Sequence, residues 1–361
     1  MRLVVKVGTS SLTDDDGVID RAAIAKVCGE VVAARSAGHD VVLVSSGAIA
    51  AGLPALGMTA RRRPTDARTL QAVSAVGQAR LMQVYNEVFA GLDRLDSAAE
   101  SAVCGQVLVA PLDFMLRAQY LHARSTLERL LELGVVPIVN ENDAVADDEI
   151  RFGDNDRIAA LVAQLLGAEL LVLLTDAAGL FTADPRFDAE ASLIEEIVEV
   201  DHELEAMAGS SGSNRGSGGM SSKLAAAKIA AWSGVRTVIA AADRVDVITD
   251  AIASKAGVGT IVQPRIQRLS ARKVWIAFAV GSSGRIHVDE GARRALVERG
   301  SSLLAAGITK VEGEFDEDSA VELCGPDGAP FAKGLTRLAA SAMESDAGVV
   351  IHRDDLVVLP A

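Results

Sequence analysis

The sequence has few aromatic residues, few cysteines and no long apolar segment, and each shortage excludes a class of protein. Cys28, Cys104 and Cys324 are an odd number and lie far apart, so neither a disulfide framework nor a cysteine metal site is predicted. The five histidines are scattered and form no metal-binding or catalytic pattern. No apolar run is long enough to span a bilayer, and the N-terminal MRLVVKVG is too short for a signal peptide. We therefore expect a reduced, cytoplasmic protein that binds no membrane.

Half of the composition is apolar, but this material is Ala, Val, Leu and Gly, and aromatic residues make up only 3% of the chain. Such small and aliphatic side chains suit a parallel sheet with helices packed closely on it. The formal net charge of −14 argues against a general affinity for nucleic acid or anionic lipid. A chain of 361 residues is expected to hold two domains.

Buried-strand patterns alternate with helical patterns along the first 260 residues. The predicted strands are 2–7, 40–47, 106–110, 135–140, 169–176 and 236–241, and the predicted helices are about 20–38, 65–92, 117–133, 155–167 and 220–233. This alternation predicts an α/β domain with a mostly parallel central sheet at residues 1–260.

The pattern changes beyond residue 260. A stretch that contains Pro264 and several basic residues predicts a linker at 261–273. The remainder, 274–361, carries more acidic than basic side chains, and its strand-like runs are VWIAFAV, GRIHVD, KVEGEF, SAVELC, VVIHRDD and LVVL. We predict that this part forms a small β-rich barrel or sandwich.

Small or hydrogen-bonding residues follow nearly every predicted strand of the first domain. Ligands of open α/β sheets bind beyond the carboxyl ends of the strands, so these residues are candidates for a site. They are Lys6, Gly8, Thr9 and Ser10; Ser45, Ser46 and Gly47; Asn140, Glu141, Asn142 and Asp143; Gly153, Asp154, Asn155 and Asp156; and Thr175, Asp176 and Gly179. Each group alone is more typical of a solvated loop or a helix cap. Together, along one sheet edge, they favour a binding site.

Lys6 occupies an alternate position within an otherwise apolar strand, where a lysine is unfavourable unless it is paired or functional. Its side chain can simply extend to water past the strand end. Gly8, Thr9 and Ser10 favour a second interpretation, because glycine permits close backbone approach and the following amides can donate to an anion.

A Gly- and Ser-rich segment, 209–219, runs directly into Lys223 and an Ala-rich helical pattern. Composition alone favours a mobile loop. The segment also suits a phosphate site, because Gly218 and Gly219 leave their amides free and Lys223 falls in the first turn of the helix, whose positive end attracts anions. It is not a Walker loop, which needs Gly-Lys followed by Ser or Thr.

Lys6 and Lys223 can meet at one cleft, and two lysines there suit phosphoryl transfer, in which a protein mainly positions and neutralises the transferred group. Asp154 and Asp156 can hold these lysines or contact Mg²⁺. A carboxylate acceptor is already ionised, so this chemistry would need no general base.

Six motifs, which occur in this order, resemble one known family. They are VVKVGTSSL, VSSGAIAAG, VNENDAV, GDND, LLTDAAGLFTADPR and GSGGMSSK. Together they closely resemble the glutamate 5-kinase branch of the amino acid kinase family, and the tail resembles a PUA domain. The resemblance covers essentially the whole chain. It implies a three-layer αβα sandwich with ATP and glutamate sites at 1–260, and a PUA-like domain at 274–361.

The resemblance also implies an activity: phosphorylation of the γ-carboxylate of L-glutamate by ATP with Mg²⁺, which gives γ-glutamyl phosphate in the first step of proline biosynthesis. It further implies feedback inhibition by proline, a homo-oligomer (dimer or tetramer) and transfer of the product to glutamyl phosphate reductase.

The roles of individual residues follow from matching positions in the family's motifs. Lys6 matches the lysine that binds ATP and stabilises the moving phosphoryl group, and Lys223 matches the second such lysine. Asp156 matches the aspartate that organises both, and Asp154 is a further candidate for that task. The implied glutamate-binding positions are Ser46, Gly47, Asn140, Asp143 and Asn155. The implied nucleotide-binding positions are Lys6, Gly8, Thr9, Thr175, Asp176, Ser217, Gly218, Gly219, Met220, Ser221, Ser222 and Lys223. No side chain is assigned as a metal ligand.

Two other functions are weighed against this one. An aspartate, acetylglutamate or nucleoside-monophosphate kinase would share the fold, but VNENDAV, SGAIAAG and the tail argue against these enzymes, and Asp143 suits the α-ammonium group of an amino acid. PUA domains often bind RNA, which suggests an RNA-binding factor. The tail is acidic and lacks the basic surface that usually binds RNA, so we do not expect a nucleic-acid partner.

Overall fold

The computed structural model describes residues 1–14, 16–92, 102–110, 113–114, 116–145, 155–188, 190–201, 204–207, 219–343 and 348–359. The chain divides into two compact units, Met1–Arg268 and Leu269–Ala361. This division lies within the stretch predicted as a linker, and the predicted domain limits stay a prediction. Across the described ranges, no helix combines the length and the apolar character that a membrane span requires.

The first unit follows the predicted alternation of strands and helices. Its strands are β1 (Arg2–Val7), β2 (Asp40–Ser45), β3 (Cys104–Val109), β4 (Val136–Glu141), β5 (Leu170–Thr175), β6 (Glu196–Ile197), β7 (Arg236–Ala241) and β8 (Thr260–Val262). Its helices are α1 (Arg21–Ser36), α2 (Ala48–Gly52), α3 (Ala67–Leu92), α4 (Arg117–Glu132), α5 (Asn155–Leu166), α6 (Met220–Trp232) and α7 (Val247–Ile252). The predicted elements are therefore confirmed to within a few residues at each end.

The strands of this unit form one sheet in the order β3-β4-β2-β1-β5-β7-β8-β6. Every neighbouring pair is parallel except β7 and β8, which run antiparallel. The prediction of a mostly parallel central sheet is thus confirmed. Parallel strands are covered by helices on both faces, which explains why β1, β2, β4 and β5 read as nearly continuous apolar runs.

Strand β1 lies in the middle of the sheet and distributes its side chains between the two faces. Leu3, Val5 and Val7 belong to a core that also contains residues of α1 and α3. Side chains alternate along a strand, so Lys6 points to the opposite face, where α5 packs against β1. The alternation predicted from sequence therefore places the one lysine of this strand beneath a helix rather than in open solvent.

The carboxyl end of β1 is a topological switch point of the sheet. The chain passes from β1 to β2 on one side and later enters β5 on the other side, so the loops that follow these strands diverge. Val7 pairs with Ser45 of β2 and is level with Leu174 of β5. Gly8, Ser46 and Thr175, one residue further along, consequently lie at the same edge, where ligands of such sheets bind.

The second unit is built on a small sheet that is antiparallel except for one parallel pair of strands. Its strands are β9 (Gly284–Val288), β10 (Leu303–Leu304), β11 (Ile308–Glu312), β12 (Ala320–Cys324), β13 (Pro330–Leu335), β14 (Val349–Ile351) and β15 (Leu356–Val358), and its helices are α8 (Ala271–Val274) and α9 (Glu290–Arg299). Five strands form a sheet in the order β11-β9-β12-β13-β15, and β10 pairs with β14. The prediction of a small β-rich domain is confirmed.

One strand prediction in this unit is wrong. The run VWIAFAV (274–280) is helical up to Ala279: α8 continues into a π-helix at Trp275–Ala279, and Val280 is extended. Ser270 begins the helix, because its hydroxyl accepts a hydrogen bond from the Lys273 amide. A short apolar run fits a buried helix as well as a buried strand, so periodicity alone does not separate the two.

Candidate active site

Two lysines from opposite ends of the first unit meet on one carboxylate. The Lys6 ammonium nitrogen lies 2.5 Å from Asp156 Oδ1, and the Lys223 ammonium nitrogen lies 3.2 Å from Asp156 Oδ2. All three residues are buried, with relative exposures of 3%, 5% and 0% for Lys6, Lys223 and Asp156. The structure therefore brings together the three residues that the sequence places in the phosphoryl-transfer role.

Each member of this cluster is positioned by a different element. Lys6 is the last but one residue of β1, Asp156 is in the first turn of α5, and Lys223 is in the first turn of α6. Helices α5 and α6 pack against each other and are rich in buried alanine, which lets two helix backbones approach closely. The close packing holds Asp156 and Lys223 at a fixed separation.

The charges of the cluster suit an anionic ligand. Burial alone would raise the pKa of Asp156, but the ammonium groups of Lys6 and Lys223 outweigh burial, so the pKa of this carboxyl lies below its usual value. The carboxylate is thus ionised at neutral pH. Two ammonium groups and one carboxylate together carry one net positive charge, which the phosphate groups of a nucleotide would complement.

The loop that leads into α6 adds hydroxyl and amide groups beside the same carboxylate. The Ser222 hydroxyl lies 3.1 Å from Asp156 Oδ2 and 2.9 Å from the Gly219 carbonyl oxygen, and it can donate to either. Gly219 is the N-cap residue of α6 and has an extended backbone, while Met220 and Ser221 form its first turn. The predicted nucleotide positions Ser217 and Gly218, and the predicted Asp154, lie outside the described residues.

Gly8 lies close to the Lys6 ammonium group. Its backbone is extended (φ −79°, ψ 160°), a conformation open to any residue. A methyl group built on Gly8 would meet the Lys6 nitrogen at 3.7 Å and no protein atom closer than that. Neither the backbone nor the surrounding protein therefore requires glycine here. A side chain at position 8 would fill the space in front of the Lys6 ammonium group.

We expect Gly8→Ala to raise the KM for the predicted nucleotide or lower kcat at least tenfold while leaving the melting temperature nearly unchanged, because the methyl group would fill the space in front of the Lys6 ammonium group. Gly77→Ala is the matched control. A Cβ on Gly77 would lie 1.7 Å from the Ala48 carbonyl oxygen, so this variant should lose stability instead. Steady-state kinetics and thermal unfolding of both variants make the comparison. Normal kinetics in Gly8→Ala would mean that nothing binds in that space.

Thr175 is the last residue of β5, on the other side of β1 from β2, and Asp176 follows it. The Thr175 hydroxyl is buried and donates a hydrogen bond of 3.0 Å to Asp176 Oδ1, whereas Asp176 itself is exposed. Thr9 is exposed at the end of β1. The predicted nucleotide positions Thr9, Thr175 and Asp176 thus lie at the carboxyl ends of the neighbouring strands β1 and β5.

A second group of polar residues surrounds the end of β2. The Asn155 side-chain nitrogen lies 3.0 Å from the Ser46 hydroxyl oxygen, 3.0 Å from the Ser45 carbonyl oxygen and 2.9 Å from Asn140 Oδ1. Gly47, which follows Ser46 in the chain, has φ +95°, a left-handed conformation that favours glycine. The structure therefore brings Ser46, Gly47, Asn140 and Asn155 to one place, immediately beside Asp156.

Helix α3 supplies polar partners that the sequence analysis missed. The Ser74 hydroxyl, 1% exposed, donates a hydrogen bond of 2.6 Å to Asp143 Oδ2. Gln78, one turn later, reaches the end of β4, and the Tyr85 hydroxyl lies 2.7 Å from Ser45 Oγ. Burial raises the pKa of Tyr85, so it stays a neutral partner of Ser45. The signal that could have revealed them is the spacing of Ser74, Gln78 and Tyr85 along the buried stripe of α3.

Comparison with known proteins agrees with both units. A model of the amino acid kinase family matches residues 1–241, and a model of the PUA domain matches residues 284–351. Proteins named glutamate 5-kinase are similar over nearly their whole length. The chain is 42% identical to the one from Pelobacter propionicus (99% of this chain, 97% of that protein), 44% to that of Herpetosiphon aurantiacus (99% and 98%) and 46% to that of Paraburkholderia xenovorans (99% and 98%).

Solved structures resemble a large part of the chain. Carbamate kinase from Giardia lamblia bound to AMP-PNP aligns with a TM-score of 0.52 at 20% identity, over 73% of this chain and 98% of that one. A further structure of Giardia carbamate kinase gives 0.51 at 19% identity, over 73% and 99%. At such identity the likeness supports the fold alone.

Proposed function

The chain belongs to the glutamate 5-kinase branch of the amino acid kinase family, and we propose that it transfers the γ-phosphoryl group of ATP to the side-chain carboxylate of L-glutamate. The product would be γ-glutamyl phosphate, formed in the first step of proline biosynthesis. The observation that carries this proposal is the buried pair of lysines on Asp156 at the switch point of the sheet. The names of the relatives support the choice of substrate.

The reaction forms one bond and breaks one. An oxygen of the glutamate γ-carboxylate attacks the γ-phosphorus, and the bond from that phosphorus to the β,γ-bridging oxygen breaks, so ADP leaves with the electron pair. The acceptor is a carboxylate and carries no proton to remove at neutral pH. The protein therefore needs to position two anions and to neutralise charge, and it does not need to act as a base.

Lys6 and Lys223 perform the neutralisation in this proposal. In the transition state the phosphoryl group lies between the attacking and leaving oxygens, and its other oxygens carry negative charge. Two fixed ammonium groups in a site without water stabilise this charge strongly. Asp156 acts on the lysines, since its two oxygens each contact one of them. This aims both ammonium groups at one place before the nucleotide binds.

The acceptor would bind on the β2 side of the cluster. The Ser46 hydroxyl oxygen accepts from Asn155, so its own proton is free to donate to a carboxylate of the substrate. Asp143, oriented by Ser74, offers a carboxylate to the α-ammonium group. Gly47, Asn140 and Asn155 complete this proposed glutamate site.

ATP would bind on the β5 side, along the described residues Gly8, Thr9, Thr175, Asp176, Gly219, Met220, Ser221 and Ser222. Within the described residues, no group of three or more His, Cys, Asp or Glu side chains is placed to hold a metal ion. Such a site fits Mg²⁺ that is held mainly by nucleotide phosphates and water, its usual arrangement with ATP. When bound there, Mg²⁺ would neutralise part of the phosphate charge.

Further parts of the proposal come from the family resemblance. We propose feedback inhibition by proline at or near the glutamate site, a homo-oligomer and transfer of the labile product to glutamyl phosphate reductase. We also propose a cytoplasmic location and a structural or regulatory role for the second unit.

One assay tests the reaction. Purified protein with ATP, Mg²⁺ and hydroxylamine is expected to yield γ-glutamyl hydroxamate from L-glutamate, and added proline should suppress its formation. L-Aspartate and N-acetyl-L-glutamate are control acceptors in the same assay, and nucleoside monophosphates, whose phosphorylation forms no acyl phosphate for hydroxylamine to trap, are compared by ADP release. A higher kcat/KM with any of them would contradict the proposed substrate. Hydroxamate formation that proline leaves unaffected would contradict only the proposed regulation.

A further inference from the structure

A connected series of side-chain amides runs from α3 to the first residue of α5. The Gln106 amide nitrogen donates to Gln78 Oε1 at 2.7 Å, and the Asn140 amide nitrogen approaches the same oxygen at 3.4 Å. Asn140 Oδ1 in turn accepts from the Asn155 amide nitrogen at 2.9 Å. Gln78 and Asn140 are buried, with relative exposures of 7% and 3%, so water does not compete for these contacts.

The backbone of Glu141 fixes which end of each amide is the donor. Its N–H donates to Asn140 Oδ1 at 2.9 Å, and its carbonyl oxygen accepts from the Gln78 amide nitrogen at 3.3 Å. A backbone N–H only donates and a carbonyl oxygen only accepts, so neither Asn140 nor Gln78 can exchange its nitrogen and oxygen without facing a group of the same kind.

The orientation of Asn155 follows from these two fixed amides. Its nitrogen faces two oxygens that can only accept, Asn140 Oδ1 and the Ser45 carbonyl. Asn155 Oδ1 is therefore the end of the amide that points away from these two oxygens. That oxygen is buried and accepts no hydrogen bond from the described part of the chain. A buried oxygen of this kind normally accepts a hydrogen bond from a donor.

L-Glutamate has a single kind of hydrogen-bond donor at neutral pH. Both of its carboxylates are ionised and can only accept, so its α-ammonium group is the one part that can donate to Asn155 Oδ1. The orientation of the Asn155 amide thus decides whether this position favours an ammonium group or an anion.

We propose that Gln78 is a positioning residue for the substrate: it holds the Asn140 amide, and Asn140 holds Asn155 Oδ1 as an acceptor for the α-ammonium group of the amino acid. This inference rests on the proposed function. In it Asn140 acts through Asn155, because its oxygen already accepts from Glu141 and Asn155 and its nitrogen donates to Gln78.

Helix α3 provides a rigid base for this role. Gly77, next to Gln78, packs so closely on α2 that a Cβ there would lie 1.7 Å from the Ala48 carbonyl oxygen. Ser74, one turn before Gln78, orients Asp143. One face of α3 therefore supports both acceptors for the ammonium group, Asp143 directly and Asn155 through Asn140.

The test compares L-glutamate with glutarate, a dicarboxylate of the same length without the α-ammonium group. The measurement is kcat/KM for each acceptor in the hydroxamate assay, and the quantity of interest is their ratio. In Gln78→Met the buried Asn140 nitrogen loses its acceptor, so Asn140 is held by the Glu141 N–H without Gln78 and positions Asn155 less firmly. We expect the ratio to fall about tenfold or more, the usual effect of one mismatched buried hydrogen bond.

Two variants serve as controls. Gln106→Met removes a donor to Gln78 but leaves the acceptor for Asn140, so its ratio should stay within about twofold of the wild type. Gln78→Glu keeps a side-chain oxygen for Asn140 and should retain more of the ratio than Gln78→Met. Thermal unfolding confirms that each variant folds, and Gln78→Leu replaces Gln78→Met if the latter does not.

The outcomes separate this inference from the proposed function. Wild-type protein that fails to phosphorylate L-glutamate overturns the proposed function. Active wild type with an unchanged ratio in the Gln78 variants overturns the inference, even if both rates fall, because a merely structural role would lower both substrates alike. A similar loss of ratio in Gln106→Met would also overturn it.

Discussion

Replacing Lys223 by methionine is expected to lower kcat by about 10²- to 10³-fold, the usual cost of removing one group that stabilises developing charge in a dry site. Methionine keeps the length of the side chain and removes its charge. The KM for L-glutamate should change little, because the ammonium group acts mainly on the transition state. Lys6→Met should behave in the same way. Stopped-time assays with saturating ATP and glutamate measure the effect.

The melting temperature shows whether the loss of kcat comes from the missing ammonium group or from unfolding. Either single lysine variant leaves one ammonium group facing the Asp156 carboxylate, so no buried charge is left alone among the three residues and the melting temperature should hold. Lys228→Met is the control on the same helix: its ammonium group pairs with Glu205 at 2.7 Å rather than with Asp156, and its kcat should stay within about twofold of the wild type. Near-normal kcat in both Lys6→Met and Lys223→Met would rule out the two-lysine mechanism.

Strand patterning made the lysine cluster predictable from the sequence. A lysine at an alternate position of an apolar central strand points beneath a helix, and few roles remain for a buried ammonium group. The Gly/Ser segment before an Ala-rich helix likewise predicted where Lys223 would lie. What the sequence could not provide was the distance between them, since more than two hundred residues separate the two lysines and only the folded sheet brings them to one carboxylate.

The residues behind the proposed glutamate site were harder to predict. Ser74, Gln78 and Tyr85 occupy the buried stripe of α3, where a pattern of burial indicates a core helix and gives no sign of which polar group meets which strand end. Their partners lie on β2, β4 and the loop after β4, far away in the chain. Hydrogen bonding between distant segments is set by tertiary packing, which local periodicity does not encode.

Asp156→Asn is expected to lower the free energy of unfolding by about 3–5 kcal/mol, because it leaves two buried ammonium groups without the carboxylate that both contact. The loss should be smaller when Lys6→Met is already present, since one of the two charges is then gone, and a double-mutant cycle by chemical denaturation measures the difference. A non-hydrolysable ATP analogue should stabilise Asp156→Asn more than the wild type, because its phosphates supply negative charge to the same lysines.

The pH dependence of this difference tests its electrostatic origin. The pKa of Asp156 in the folded protein lies below its usual value, so the carboxylate contributes its full stability above the unfolded-state pKa of about 4 and loses it as the pH falls through the lower folded-state pKa. The gap in unfolding free energy between the wild type and Asp156→Asn should therefore be constant from neutral pH down to about 5 and shrink below about 4. A gap that persisted unchanged in acid would show that Asp156 stabilises the fold through packing or hydrogen bonds rather than through its charge.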